Sequence, residues 1–361
     1  MRAIRLSLSL AAIAASGLCT SLAGASILSP NDLVVFSAGD GSALSNNSVF
    51  SILELTKAAG QASPVQTFDI SGNATSPMWT SGTGTSTGYL SLSQSRGSVQ
   101  WDAHTIRAAA GVNENTIAAR GVGSINAAGT YSQLASYTGA SGNQARSAGL
   151  MTTGDLFIGD QQGIFAPGAS APSITANVRN IRSFGGTGFV FQASATASAV
   201  SSISGTPAAP TLTPLPGLGA LGTAIQDFYM ISSLNDGNFD LLYISTTTGV
   251  SKFQLSAGAW TPRGTATVAG GFFGIAAETD AAGGVDLYLT TGSGATSANS
   301  VKRFIDSASA SANITLDTGT TLFTGPTGTT IKGIELAPVP APGAFALMGL
   351  GGLIAARRRR N

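Results

Sequence analysis

The single histidine of the chain, His104, lies two positions after Asp102. In an extended strand that spacing puts a general base and an orienting carboxylate on one face. An ordinary turn or exposed strand has the same spacing, and one histidine cannot supply a histidine pair for zinc. Asn235-Asp236-Gly237-Asn238-Phe239-Asp240 is rich in oxygen donors, as calcium loops are. It has no later bidentate glutamate, and Asp, Asn and Gly in such a run serve a turn between strands equally well. The turn is the favoured reading. Ser81–Gly88 (SGTGTSTG) is glycine-rich but has no phosphate-binding lysine and opens no helical pattern, so it is not a P-loop. A Gly-x-Ser-x-Gly hydrolase elbow would need a histidine after it, and His104 comes too early. Trp79, Trp101 and Trp260 could line a sugar-binding face, but core packing explains each of them as well. The sequence therefore assigns no catalytic, cofactor-binding or metal-binding residue.

The elements that would position these residues are strands. Gly270–Asp306 contains an apolar run (Phe272–Ala277, strand A), a turn, a second run (Asp286–Leu289, strand B) and an alternating run (Ser300–Ile305, strand C). Strand B opens with Asp-Leu, and this signature recurs at Asp32-Leu33, Asp155-Leu156 and Asp240-Leu241. Gly88–Leu92, Thr116–Ala119 and Gly188–Phe191 are weaker copies. The markers Phe36, Tyr89, Ile117, Phe157, Phe191, Tyr243 and Tyr288 are spaced by 42 residues on average. A strand-built period of roughly 40–50 residues is the mark of propeller blades.

Strand A candidates are His104–Ala109, Ala145–Met151, Val178–Phe184, Asp227–Ile231 and Phe272–Ala277. Ile331–Leu336 is an A strand with no B strand after it. Asp32–Phe36 is a B strand with no A strand before it, and Ser48–Leu55 follows as its C strand. The expected fold is thus an all-β propeller of about seven blades, its ring closed by the N- and C-terminal strands, which leaves no free sheet edge. Thr206–Gly219 (TPAAPTLTPLPGLG) carries Pro207, Pro210, Pro214 and Pro216, which exclude helix and central strand, and it reads as an inter-blade loop.

Of 361 residues only 10% are charged, and the formal net charge is +1. Six of the 18 basic residues (Arg2, Arg5 and Arg357–Arg360) sit in the terminal segments; without them 12 basic residues face 17 acidic ones. Such a body lacks the basic surface that nucleic acid requires. The one cysteine, Cys19, also lies in the N-terminal apolar segment, so the body has neither a disulfide nor a thiol nucleophile.

Met1–Ala25 combines two arginines, an apolar stretch (Leu6–Leu22) and Ala23-Gly24-Ala25 before Ser26, the layout of a secretory signal peptide cut between Ala25 and Ser26. At the other end, Pro340-Ala341-Pro342 leads to an apolar segment, Gly343–Ala356, followed by Arg357, Arg358, Arg359 and Arg360. Over about Val339–Arg360 this tail resembles the PEP-CTERM sorting signal, although Ala341 stands where that family usually has Glu. The resemblance implies an exosortase-type membrane enzyme as partner, with an apolar helix in the membrane before processing. The arginines would lie on the cytoplasmic side. The division expected is a signal peptide (1–25), a propeller-like body (26–337) and a sorting tail (338–361). The corresponding function is an exported, surface-associated or matrix protein that binds extracellular polysaccharide or protein. A secreted propeller hydrolase or lyase acting on glycans or lactones is the alternative, and the scarcity of histidine, cysteine and grouped carboxylates weighs against it.

Overall fold

The computed structural model describes residues 27–340, apart from Ser198 and Ala281. Its strands form six four-stranded antiparallel sheets. Sheet I holds β1 (Leu33–Ala38), β2 (Phe50–Leu55) and β3 (Gln66–Asp69), with β24 (Thr330–Leu336) on the far side of β1. Sheet II is β4 (Ser91–Leu92), β5 (Ser98–His104), β6 (Ala119–Asn126) and β7 (Tyr131–Thr138). Sheet III is β8 (Ala145–Leu150), β9 (Leu156–Asp160), β10 (Gly163–Phe165) and β11 (Ile174–Thr175). Sheet IV is β12 (Val178–Phe184), β13 (Thr187–Gln192), β14 (Val200–Thr206) and β15 (Ala209–Pro214). Sheet V is β16 (Ile225–Ile231), β17 (Leu241–Thr246), β18 (Gly249–Ser256) and β19 (Ala259–Thr267). Sheet VI is β20 (Phe272–Thr279), β21 (Val285–Thr291), β22 (Ser300–Asp306) and β23 (Thr320–Thr324).

The innermost strands β24, β4, β8, β12, β16 and β20 touch one another in turn around a common axis, which makes a six-bladed propeller arrangement. Burial grades outward. The two inner strands of sheet I and of sheet VI are buried on both faces almost throughout, hence their continuous apolar runs. The outermost β7 and β19 alternate between half-buried and exposed. Apolar side chains fill the wedges between sheets. Phe36 stacks on Phe50 at 4.3 Å, and Phe50 meets Trp101 of sheet II edge-on at 6.4 Å.

Six blades replace the expected seven, and the reason is local to sheet II. Its innermost strand is only Ser91–Leu92, so the Gly88–Leu92 marker labels an inner strand rather than a second one. The real second strand is Ser98–His104, with a 3₁₀ turn at Glu114–Thr116 and β6 from Ala119 after it. Tyr89 and Ile117 thus mark one blade that was read as two. His104–Ala109 is likewise not an inner strand, because β5 ends at His104. The three-strand unit also missed the fourth, outermost strand of each blade, whose polar, half-exposed sequence carries little apolar signal. Thr206–Gly219 is not wholly a loop: Ala209–Pro214 is the outermost strand of sheet IV, where Pro210 and Pro214 sit on an edge that needs no N–H donor from them.

Sheet I takes its innermost strand from the far end of the described chain. Val34 lies opposite Glu335 and Val35 opposite Ile334, and β2 continues the sheet on the other side of β1. Next to this strand, Gly333 N donates to Gly88 O at 2.8 Å, and a Cβ on Gly333 would come within 2.4 Å of that oxygen. Only glycine allows this approach between sheets I and II.

Candidate functional site

Around the axis, Leu92, Phe184, Ile231, Thr279 and Leu336, at the carboxyl ends of β4, β12, β16, β20 and β24, surround a cavity of about 450 Å³. Residues of three turns complete its rim: Gln94 and Arg96, Gly185 and Gly186, and Ser232, Asn235 and Phe239. The lining mixes aromatic faces (Phe184, Tyr229, Phe239) with neutral polar groups (Gln94, Ser183, Ser232, Asn235) and charged ones (Arg96, Arg182, Glu278, Glu335).

Arg182 forms the floor. Its Nη2 lies 2.7 Å from Asp227 Oδ2 and its Nε 3.3 Å from Asp227 Oδ1, while Nη1 pairs with Glu335 Oε2. Nη2 also donates to Ile275 O at 3.0 Å. One guanidinium therefore ties the inner strands of sheets I, IV, V and VI. Burial opposes its charge, but Asp227 and Glu335 more than offset this, and the Arg182 pKa is raised. Tyr229 OH donates to Glu335 Oε1 at 3.1 Å, and burial holds that phenol well above its usual range, so it remains a donor. Asn180 Nδ2 donates to Asp227 Oδ1 at 2.9 Å. Glu278, at the rim, accepts from Lys57 Nζ at 2.6 Å and from Tyr288 OH at 2.7 Å. Each carboxylate at this mouth is engaged by a cation and a phenol or amide. This arrangement holds a shape and presents a surface; it does not leave a general base poised toward the cavity.

The structure separates Asp102 and His104 from this mouth. Both are buried in sheet II, and among the described residues no hydrogen bond joins them. His104 Nδ1 lies 3.2 Å from Ile117 O, and burial followed by the Arg120 charge brings its pKa down to about 3. Asp102 Oδ2 accepts from Tyr137 OH at 2.6 Å and from Arg146 N at 3.2 Å. Tyr137 OH is also 2.9 Å from Asp160 Oδ2, the oxygen held by Arg120. One phenolic hydrogen cannot serve both acids. Burial pushes the Asp102 carboxyl well above its usual range, and the Tyr137 hydrogen bond opposes this.

Asn235–Asp240 forms a turn whose carboxylates bond to the two serines that lead into it. Asp236 Oδ1 accepts from Ser232 Oγ at 2.9 Å, and Asp240 Oδ2 accepts from Ser233 Oγ at 2.6 Å. Trp101 is fully buried and stacks on Tyr131 at 5.8 Å; Trp260 is buried, and Trp79 is half-buried. Arg182, Asp227, Tyr229 and Glu335 had not been singled out from sequence. Their signal was a charged residue inside an otherwise apolar inner strand, as in IQDFYMI and IKGIEL.

The cleavage residues Ala23, Ala25 and Ser26, and Pro342 with Arg357–Arg360, lie outside the described residues. Pro340 is the last one described. Just before it, Val339 N donates to Arg96 O at 2.8 Å, so the described residues end beside the mouth. Among the described residues no helix is long and apolar enough to cross a membrane.

No family profile and no curated protein matches the sequence. Solved structures do match in shape. A protein from Lactobacillus plantarum is 11% identical with a TM-score of 0.43, covering 83% of this chain and 99% of that one. A protein of unknown function from Bacteroides caccae is 12% identical with a TM-score of 0.40, covering 83% and 98%. The dihydro-heme d1 dehydrogenase NirN is 11% identical with a TM-score of 0.39, covering 81% and 54%.

Proposed function

We propose that the chain is an exported, surface-associated binding protein whose propeller takes a polar, glycan-type ligand at the mouth floored by Arg182. The observation that carries this reading is the division of labour at the mouth. The carboxylates are locked to Arg182 and Lys57, while aromatic rings and neutral polar groups, with Arg96 at the rim, line the open cavity. Sugars are held in this way, by stacking on rings and by hydrogen bonds to amides and hydroxyls. The Met1–Ala25 layout and the Pro340–Arg360 tail supply the export and sorting part, with an exosortase-type enzyme as processing partner. The pairing of β24 with β1 is further proposed to hold the ring shut in solution.

The test of binding is a glycan array with the full chain, followed by calorimetry on any hit. Asn235→Ala and Phe239→Ala should each weaken a true mouth ligand by about tenfold, the value of one lost hydrogen bond or ring contact. Failure of every glycan to bind, or binding indifferent to both variants, overturns the assignment. Export is tested separately by N-terminal sequencing of the secreted protein, which should begin at Ser26. Replacing Arg357–Arg360 by serine should leave the tail unprocessed, and unchanged size and location would count against the sorting proposal.

A further inference from the structure

The end of the channel opposite the mouth carries a second set of side chains, one from each blade. Five inner strands lose register with their neighbours near their starts. The slips fall between Ala145 and Ser147, Val178 and Asn180, Ile225 and Asp227, Phe272 and Ile275, and between Ile331 and Ile334 of β24. The residues at these bulges include Arg146, Arg179, Gln226, Phe273 and Lys332; Tyr89, just before β4, takes the sixth place. A bulge re-aims its side chain, and here the aim is inward. Tyr89 of sheet II stacks on Phe273 of sheet VI at 4.8 Å although sheet I lies between them, and Lys332 Nζ is 5.9 Å from the same ring.

Three of the six are cationic and none is a carboxylate. Lys332 is supplied with acceptors: Gly84 O at 2.5 Å, Gly294 O at 2.7 Å and Thr87 Oγ1 at 3.1 Å. The two arginines are supplied only in part. Arg146 Nη1 donates to Asn177 Oδ1 at 2.6 Å and also to Val178 O, and its Nη2 to Gln144 Oε1 at 3.3 Å, but Arg146 Nε, Arg179 Nε and Arg179 Nη1 are buried with no hydrogen-bond partner among the described residues. The Tyr89 hydroxyl, also buried, likewise makes no hydrogen bond of good geometry there. Burial first, and the facing Arg179 charge second, bring Arg146 down to about 10. Two guanidiniums that repel each other, with donors left over, are a costly thing to keep inside a channel unless an anion completes them.

We propose that Arg146, Arg179 and the Tyr89 hydroxyl form an anion site in the channel that takes a small oxyanion, a carboxylate or a sulfate group. Guanidinium edges match the two oxygens of such a group, and the phenol adds a third donor. Arg179 is only half-buried, which gives the site its access from the end away from the mouth. The site does not depend on the ligand of the mouth. The same chemistry is offered by a free anion and by the acidic group of a sugar, so the probes are sodium sulfate, sodium acetate and a glucuronate-containing oligosaccharide.

Calorimetry of the full chain at constant ionic strength should show saturable binding of at least one probe. Preference for the oligosaccharide over acetate would identify an acidic glycan as the source, and the reverse a free anion. Arg179→Gln should weaken binding about tenfold or more, as loss of a charge-assisted hydrogen bond does. Arg107→Gln, at an exposed arginine elsewhere, should leave it unchanged. Sulfate should also protect Arg179 of the unaltered protein from an arginine-modifying dicarbonyl, mapped by mass spectrometry, a readout that requires no variant to fold. Absence of saturable binding by all three probes, or equal binding and equal modification with and without the Arg179 side chain and sulfate respectively, overturns the site.

Discussion

Arg182 and Asp227, on the innermost strands of neighbouring sheets, meet side-on, with Nη2 2.7 Å from Oδ2 and Nε 3.3 Å from Oδ1. Glu335, from the far end of the described chain, takes the remaining edge of the same guanidinium. Removing Arg182 would leave two carboxylates buried together with no cation between them. Breaking one partner out of a buried ion pair costs about 3–5 kcal/mol, since the survivor stays desolvated. Arg182→Gln should therefore lower the unfolding free energy obtained from urea melts by that much. Arg182→Lys keeps the charge but cannot present two edges, so its loss should fall between those of wild type and Arg182→Gln. Equal stability of all three would show that the hub does not hold the inner strands.

Sequence reading found the propeller because strands buried on both faces leave apolar runs, as in Asp240–Ile244 and Asp286–Leu289. It miscounted the blades where that signal fails: β4 is two residues long, and β5 (SVQWDAH) places Gln, Asp and His inside, each partnered through one of its polar atoms. The mouth and the channel site were illegible for a related reason. Period-two alternation predicts which residues share a face, but a bulge at Arg146, Arg179 or Lys332 resets the count, so the side chain that turns inward looks misplaced in a linear pattern. Which blades are neighbours across the axis is likewise set by ring geometry rather than by spacing along the chain.

His104 should make the fold acid-sensitive without serving any chemistry. Its folded pKa, near 3, lies below the usual 6.5, so the unfolded chain takes up a proton first as the pH falls. The stability it contributes is fully present above pH 6.5 and is lost progressively toward pH 3. By pH 5 the loss should reach about 2 kcal/mol, one and a half pH units at 1.36 kcal/mol each. Denaturant melts of wild type and His104→Gln at pH 7.5 and pH 5 give the comparison, in which the variant should lose less. Ligand binding at the mouth should be the same in both proteins.

Lys332 acts in the alkaline range. Burial lowers its pKa from 10.5 to about 7. Between those values the unfolded chain holds a proton that the folded chain has released, so stability rises with pH through that window. The size is on the order of a few kcal/mol. Lys332→Met removes the titration, and the difference in unfolding free energy between the two proteins should shift in favour of wild type from pH 6.5 to pH 9.5. A difference that is flat with pH would mean that Lys332 stays charged, held by Gly84 O, Thr87 Oγ1 and Gly294 O.

The pairing of β24 with β1 sets up the strongest contrast. A chain ending before Ile331 loses nearly all of the innermost strand of sheet I, including the fully buried Ile331 and Ile334 and the nearly buried Leu336. At about 1.5–3 kcal/mol for each large apolar side chain, that burial is comparable with the whole stability of a domain, about 5–15 kcal/mol. The same cut removes Glu335 from Arg182 and bares the edge of β1, whose N–H and C=O groups then offer themselves to other chains. A chain ending after Pro340 keeps the strand, the Ala337 N to Asp32 O bond at 2.9 Å and the Val339 N to Arg96 O bond at 2.8 Å. Size-exclusion chromatography should find the shorter protein aggregated and the longer one soluble, with a melting transition like that of the full chain. If the shorter protein is also soluble and melts cooperatively at the same temperature, the strand from the far end does not hold the ring shut, and the six sheets must be kept in place by the packing between their inner faces alone.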